Sequence, residues 1–401
     1  MHVLELSDIY PTPRLPTAGV FVERQVRELA RHVAVDVVSP VPWAPRVIRP
    51  LSARWRAYGE QPRAITVRGV PVHLPRYIQP PGQWSMALAG VTMALAAWPV
   101  VSRVAAERGV EVIHAHRLLP AGLAGVLLGR RLGRPVVCTL RGTDAAVVPF
   151  HDRVARAATR VVAREARALV AVNGNLLESL ERVAPVHAPA FVVPNGVDTA
   201  QFRPHDRSAA RRTVGLDADA EVVLYAGMLV ACKGLDVLLD AFARVAASRP
   251  RATLVLVGGS PDRNDLASTL RRRAAAIGRI RFVGPRGHDE MPLWFSAADV
   301  FALASRREGF PNVVREAIAC GTPCVATALP GMADAVGPEC GLIVPPDDPA
   351  ALAAALDEAL RRPWDRGAIR RRALAWRWER NAEATLAVLR DAAGRRPAEV
   401  A

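Results

Sequence analysis

The chain has 401 residues, 51% of them hydrophobic, enough for two domains of ordinary size with substantial cores. Its formal net charge of +15 comes mainly from arginine and favours anionic partners: a nucleotide, a phospholipid or a nucleic acid. Only 5% of residues are aromatic, so no basic stretch interleaved with stacking rings points to single-stranded nucleic acid, and five irregularly spaced cysteines argue against a disulfide framework.

Met1 to Leu6 reads as a first strand rather than a signal peptide, because it lacks a basic start and a long apolar core. A Pro- and Gly-rich loop leads to a helix over Phe21–Arg31, with Val22, Val26, Leu29 and Ala30 on one face, and then to a strand over Val33–Val38. Gly19, just before that helix, suits either a plain turn or a close approach of backbone to a phosphate. Trp84–Val101 is nearly free of charge and close to the minimum length of a membrane span, but its alanines, Gly90 and Pro99 predict a buried or interfacial helix.

Glu111–Ala115 reads as a strand, with His114 and His116 at its end. Two histidines at this spacing could ligate a metal, but no third ligand is near in sequence, so a structural or acceptor-side role is expected. A helix over Ala121–Leu132 and a strand over Pro135–Leu140 lead into Arg141-Gly142-Thr143-Asp144, where Asp144 can cap a helix. A helix, a strand and a helix fill 161–183, and a short apolar run precedes the Asn195-Gly196 turn. A polar linker is expected near 195–218; its Asp217-Ala218-Asp219 triplet reads as a solvated turn rather than a metal-binding pair.

Val222–Gly227 is the next strand, and a loop carries Lys233 to the start of a helix over Leu235–Val245. Lys233 precedes its glycine and no Gly-Lys-Ser/Thr follows, so this is not a Walker loop; a lysine there can serve a diphosphate as a point charge. Strands over Ala252–Val257 and Arg281–Gly284 follow, then Pro285-Arg286-Gly287-His288 and a helix over Met291–Ala298. Asp299–Ala304, a loop, a helix carrying Val313, Val314, Ala317 and Ile318, and Cys324–Thr327 form a parallel βαβ unit. In open α/β sheets the crevice beyond the carboxyl ends of the strands binds ligands, and N–H groups around Gly309 to Val313 suit a phosphate. Glu308 and Glu316, with seven residues between them, suit sugar hydroxyls better than phosphate, the alternative being an ordinary exposed pair. Cys320 and Cys324, without a neighbouring histidine, read as buried small side chains. Gly341–Asp347 is a last strand and turn, Ala350–Arg361 a helix, and Trp376–Ala393 an amphipathic helix, with fraying expected after Gly394.

The stretch Glu308 to Thr327, E-G-F-P-N-V-V-R-E-A-I-A-C-G-T-P-C-V-A-T, resembles the signature of retaining glycosyltransferases of the glycogen-synthase/mannosyltransferase type, family GT4 with the GT-B fold. The Pro16-to-Val26 segment around Gly19, the Pro-Asn-Gly-Val-Asp run at 194–198, Lys233-Gly234 and the Gly-Leu-Ile-Val-Pro-Pro element at 341–346 are similar to family motifs as well. The resemblance spans nearly the whole chain and is strongest from 195 to 346.

It implies an α/β GT-B architecture: two Rossmann-like, doubly wound parallel-sheet domains facing across a cleft. Residues 1–195, with the C-terminal helix 376–393 packing back on them, would bind the acceptor, and 196–375 the nucleotide sugar. It implies Glu308 at the donor sugar, Glu316 at the ribose, Lys233 on the diphosphate and Asp144 on the acceptor side. Gly19, Gly227 and the run Gly309, Phe310, Pro311, Asn312 and Val313 would surround the donor, with Arg286 near the base. Two positions depart from the family: Met228 stands where an arginine grips the diphosphate, and Arg141 replaces a histidine, from where it could meet a phosphate or an anionic acceptor. The activity implied is metal- and cofactor-independent retaining transfer from a GDP- or UDP-linked sugar to a hydroxyl of a lipid-linked or polysaccharide glycan. No specific nucleic acid is expected, and the setting is cytoplasmic, with peripheral contact to the anionic inner face of the membrane. Two other readings stay open: another GT-B nucleotide-sugar enzyme such as a non-hydrolysing 2-epimerase, and a non-enzymatic polyanion binder.

Overall fold

The computed structural model describes residues 1–79, 86–259 and 266–394, which divide into two compact units: Met1–Gly196 with the helix Trp378–Gly394, and Val197–Arg377. Trp84 and Ser85, at the head of the expected apolar helix, and the tail after Gly394 lie outside the described residues.

The first unit contains β1 (His2–Ser7), β2 (Ala34–Val38), β3 (Val41–Pro42), β4 (Ala64–Val67), β5 (Val70–His73), β6 (Arg76–Tyr77), β7 (Val112–His116), β8 (Val136–Leu140), β9 (Ala168–Ala171) and β10 (Ala190–Val192). Eight of them form one sheet in the order β10-β9-β8-β7-β1-β2-β5-β4, parallel except where β4 runs antiparallel to β5; β3 and β6 make a separate ribbon. The central strands β1, β7, β8 and β9 are buried at every position, as a sheet covered on both faces requires. On one face Val3, Val112, Val137 and Val170 pack with Val22 and Val26 of the helix Val20–Leu29 and with Leu386 and Leu389 of Trp378–Gly394. Each of these leucines contributes about 1.5–3 kcal/mol by its burial, which ties the C-terminal helix to this unit. On the other face the helix Leu123–Leu132 brings Gly125 against Ala115 and Leu6, leaving no slack for a larger side chain.

The apolar segment forms the helix Met86–Arg108, among the described residues the one helix long and apolar enough to cross a membrane. Its Ala89, Met93, Ala97 and Val101 are buried, and it packs along Leu123–Leu132.

The second unit carries β11 (Glu221–Ala226), β12 (Ala252–Val257), β13 (Ile280–Gly284), β14 (Val300–Leu303), β15 (Cys324–Thr327) and β16 (Gly341–Val344) in one parallel sheet ordered β13-β12-β11-β14-β15-β16. β14, the helix Asn312–Ala319 and β15 form the expected βαβ unit, with Phe301 in register with Cys324. The expected linker contains a helix instead, Arg207–Val214. Asp206 caps it by accepting from the Ala209 N–H at 2.7 Å, and its buried Arg211 donates to the Ala297 carbonyl and pairs with Asp299. Polarity alone read as linker because Arg211 is a buried cation whose partners lie far along the chain. Asp217 and Asp219 sit on an exposed turn.

Candidate active site

The second unit gathers its predicted residues on loops that leave the carboxyl ends of β11, β13 and β14. The loop after β11 ends at Gly234, φ 60°, the cap of the helix Leu235–Ser248; a Cβ there would overlap the Ala304 carbonyl, so only glycine lets this loop lie against the end of β14. That contact aligns Lys233 with Glu308. The ammonium donates to both carboxylate oxygens, at 2.7 and 2.8 Å, and the Ser305 hydroxyl donates to Oε1 at 2.6 Å. Glu308 is 9% exposed and Lys233 18%, so the pair is largely withdrawn from water.

Glu316 stands on the second turn of the helix Asn312–Ala319. Its Oε1 lies 3.0 Å from Nε2 of His288, in the loop after β13. His288 is itself fixed: Gln201 donates to its carbonyl at 2.8 Å, and its ring meets Phe202 edge-on at 4.8 Å between centroids. Arg286, expected near the base, is exposed and donates to the Val283 carbonyl at 3.3 Å, and His288 is the residue of this loop that reaches a glutamate.

Gly309, Phe310, Pro311, Asn312 and Val313 connect the two glutamates, with Pro311 at the cap and the helix beginning at Asn312. The Arg315 guanidinium lies over the Phe310 ring at 4.3 Å and over the Trp376 ring at 4.5 Å from the centroids. Burial pushes the Arg315 pKa down to about 9, and its contacts with the two rings tie Phe310 of the loop to Trp376. Gly227 follows β11 and donates its N–H to the Val257 carbonyl at 3.0 Å. Met228, at the position of the missing arginine, is 53% exposed. Arg306, the cation next along from Ser305, is committed to Asp236 and Asp347.

The predicted residues of the first unit make a separate cluster. Gly19 caps Val20–Leu29 at φ 66°, and a Cβ would strike the Ile9 carbonyl, so the fold itself calls for glycine there. Asp144 is buried and works on backbone: its carboxylate accepts from the N–H groups of Gly142 (2.7 Å), Arg141 (3.1 Å) and Leu118 (2.9 Å), which shapes the turn after β8. Arg141 is also buried. Its Nη1 donates to Asn195 at 2.8 Å, its Nη2 donates to Gln25 and to His116 Nδ1, and its guanidinium lies over the Phe21 ring. Burial lowers its pKa to about 10, so it remains a cation at neutral pH.

The third partner that local spacing did not offer to His114 and His116 is Glu5, which β1–β7 register sets opposite His114. Among the described residues these three are the group whose donors converge closely enough to hold a metal ion. Their ring nitrogens are already engaged: His116 Nε2 with Glu5 at 2.6 Å, His114 Nδ1 with Glu5 at 2.9 Å, and His114 Nε2 with the Thr139 hydroxyl at 2.7 Å. Arg141 can only donate, so His116 Nδ1 must accept, and the His116 proton sits on Nε2, facing Glu5. The cation beside the cluster and the nitrogen–oxygen spacings of hydrogen-bond length make this a continuous buried polar network. Burial, with His114 and Arg141 adjacent, lowers the His116 pKa to about 3. Burial raises Glu5, but the two imidazoles outweigh it and hold the carboxyl at about 2.

Residues 18–201 match the family described as Glycosyltransferase Family 4, and residues 220–362 match Glycosyl transferases group 1. The chain is 37% identical over 317 residues to D-inositol 3-phosphate glycosyltransferase of Acidothermus cellulolyticus, covering 71% of this chain and 68% of that one. It is 29% identical over 361 residues to TuaC of Bacillus subtilis, assigned as a teichuronic acid biosynthesis glycosyltransferase, covering 89% and 88%. Its fold is shared with sucrose-phosphate synthase from Thermosynechococcus elongatus (TM-score 0.79, 23% identity, 98% and 99% of the two chains) and with Anabaena HepE in complex with UDP (TM-score 0.74, 20% identity, 98% and 100%). The chain therefore belongs to glycosyltransferase family 4 and has the GT-B fold.

Proposed function

We propose that this glycosyltransferase moves a sugar from a nucleoside diphosphate sugar to a hydroxyl of a lipid-linked or polysaccharide glycan, with retention at the anomeric carbon and without a metal. The observation that carries the donor half is that two hydrogen-bonded pairs, Lys233 with Glu308 and His288 with Glu316, are built on segments that follow strands of the second sheet at their carboxyl ends. Lys233 supplies positive charge to the diphosphate, together with the dipole of the helix that starts at Asn312. Glu308 accepts hydrogen bonds from donor-sugar hydroxyls, and Glu316 from the ribose. As the bond from the anomeric carbon to the phosphate oxygen breaks, the acceptor oxygen attacks from the same face, and the leaving phosphate takes its proton. In the first unit Asp144 and Arg141 act by shaping the turn after β8, on the acceptor side.

The fold relatives solved with UDP and with UDP-glucose support a nucleoside diphosphate donor, and TuaC's assignment to teichuronic acid biosynthesis supports a glycan product. Five unpaired cysteines fit a reducing, cytoplasmic setting. A thermal-shift panel of UDP- and GDP-sugars, followed by donor-hydrolysis assays, tests the reading. One donor should raise the melting temperature and be consumed; a panel with neither response refutes it.

A further inference from the structure

The helix Met86–Arg108 turns an apolar side outward. With Ala89, Met93, Ala97 and Val101 sealed inside, Leu88 (49% exposed), Val91 (40%) and Leu95 (67%) form one stripe at spacings of three and four residues, with exposed Pro99 a turn further on. A helix facing only water would carry charge there. The β3/β6 ribbon widens the stripe. The Trp43 N–H donates to the Tyr77 carbonyl at 2.7 Å, and the Thr92 hydroxyl on the helix donates to the next carbonyl, that of Ile78, at 2.5 Å. The Trp43 and Ile78 side chains are more than half exposed. Contiguous exposed apolar surface of this kind marks an interaction site.

Charge selects the occupant. Residues 37–108, to the end of the helix, carry nine arginines and two acids, Glu60 and Glu107. Exposed Arg46 follows Trp43 by three residues, exposed Arg103 follows Pro99 by one turn, and Arg131 lays its guanidinium 4.0 Å over Trp98 of the same helix. An anionic bilayer offers an apolar layer and a plane of phosphates together, which matches an apolar stripe rimmed by arginine.

We infer that this face of the first unit is a peripheral membrane-docking surface, with Trp43, Ile78, Leu88, Val91 and Leu95 in the headgroup–acyl boundary and the arginines on anionic lipid phosphates. The helix lies on the bilayer and does not cross it. Its inner face is committed to the fold, where Gly90 approaches Leu123 too closely for any added side chain to fit without a shift. The inference rests on the lipid-linked acceptor reading for its purpose, since docking brings such an acceptor within reach, but its test needs no turnover.

The test is flotation of the full chain with vesicles of mixed phosphatidylglycerol and phosphatidylcholine, against phosphatidylcholine alone. Binding is expected only with the anionic vesicles and should fall steeply with salt. Val91→Glu with Leu95→Glu should reduce the bound fraction at least tenfold, as should Trp43→Ala with Ile78→Ala on the ribbon. Both double variants should keep the wild-type melting temperature and nucleoside diphosphate affinity. The inference is overturned if the wild type stays unbound at low salt, if well-folded variants float as the wild type does, or if light scattering shows a dimer that the variants dissolve. Flotation without any nucleotide-sugar binding would sink the transferase reading and leave the surface standing.

Discussion

The Lys233 ammonium holds both carboxylate oxygens of Glu308, at 2.7 and 2.8 Å, and so joins the loop after β11 to the loop after β14. Removing the cation has two effects. A charge-assisted hydrogen bond to the diphosphate, about 1–3 kcal/mol, is lost, and a largely buried carboxylate loses its counter-charge. Lys233→Ala should lower kcat/KM by roughly 10–10²-fold and destabilise the second unit by about 1–3 kcal/mol, read by steady-state kinetics and urea unfolding. Lys233→Arg should rescue stability better than activity, because a planar fork does not replace a point charge.

Met228 is half exposed at a position where the family carries an arginine. If the diphosphate lies against this loop, Met228→Arg adds one charge-assisted contact and should tighten nucleoside diphosphate binding by about tenfold in calorimetry. Unchanged affinity would move the diphosphate away from the loop.

His288 touches no reacting atom in the proposed mechanism and acts through Glu316, 3.0 Å away. As a positioning residue it should affect donor KM and leave kcat nearly intact. His288→Ala should raise donor KM by about three- to tenfold, on the scale of one hydrogen bond, and His288→Gln should recover much of the loss. An equal fall in kcat for both variants would contradict a positioning role.

The Glu5–His116 network makes the first unit acid-sensitive. His116 has a folded pKa near 3 and an ordinary value near 6.5, so the unfolded chain binds the proton more readily. Its contribution is complete above about pH 6.5 and is lost as pH falls toward 3. Glu5, held near 2 against an ordinary 4.5, adds stability that is lost as pH falls from 4.5 toward 2. Both act in one direction: as pH falls the unfolded chain takes up protons that the folded network resists. Unfolding monitored between pH 7 and 4 should show a steady loss of stability, reduced in His116→Gln.

The legible parts of this molecule were those written in consecutive residues. The βαβ unit around Asn312–Ala319 announced itself through two apolar runs flanking a helical repeat, and Glu308, Glu316 and Lys233 could be named from motifs in their own loops. What depended on register or distant packing was not legible. Glu5 meets His114 because β1 lies beside β7, and 109 residues separate them. His288 meets Glu316 only once β13 and β14 are placed in one sheet. The second aromatic contact of Arg315 needs Trp376, and the buried Arg211 that turns an expected linker into a helix needs Asp299. The segment 84–101 is apolar on every side, so its sequence alone did not say which face would be left outside.

Isothermal titration of the responsive nucleotide sugar into wild type, Glu308→Ala and Glu316→Ala, each with its unfolding midpoint checked, tests the donor site most directly. Glu316→Ala should weaken both the nucleotide sugar and the free nucleoside diphosphate by about tenfold or more. Glu308→Ala should weaken the nucleotide sugar and spare the free nucleoside diphosphate. Wild-type affinity for the nucleotide sugar in both folded variants would contradict the assignment of these two glutamates to the donor.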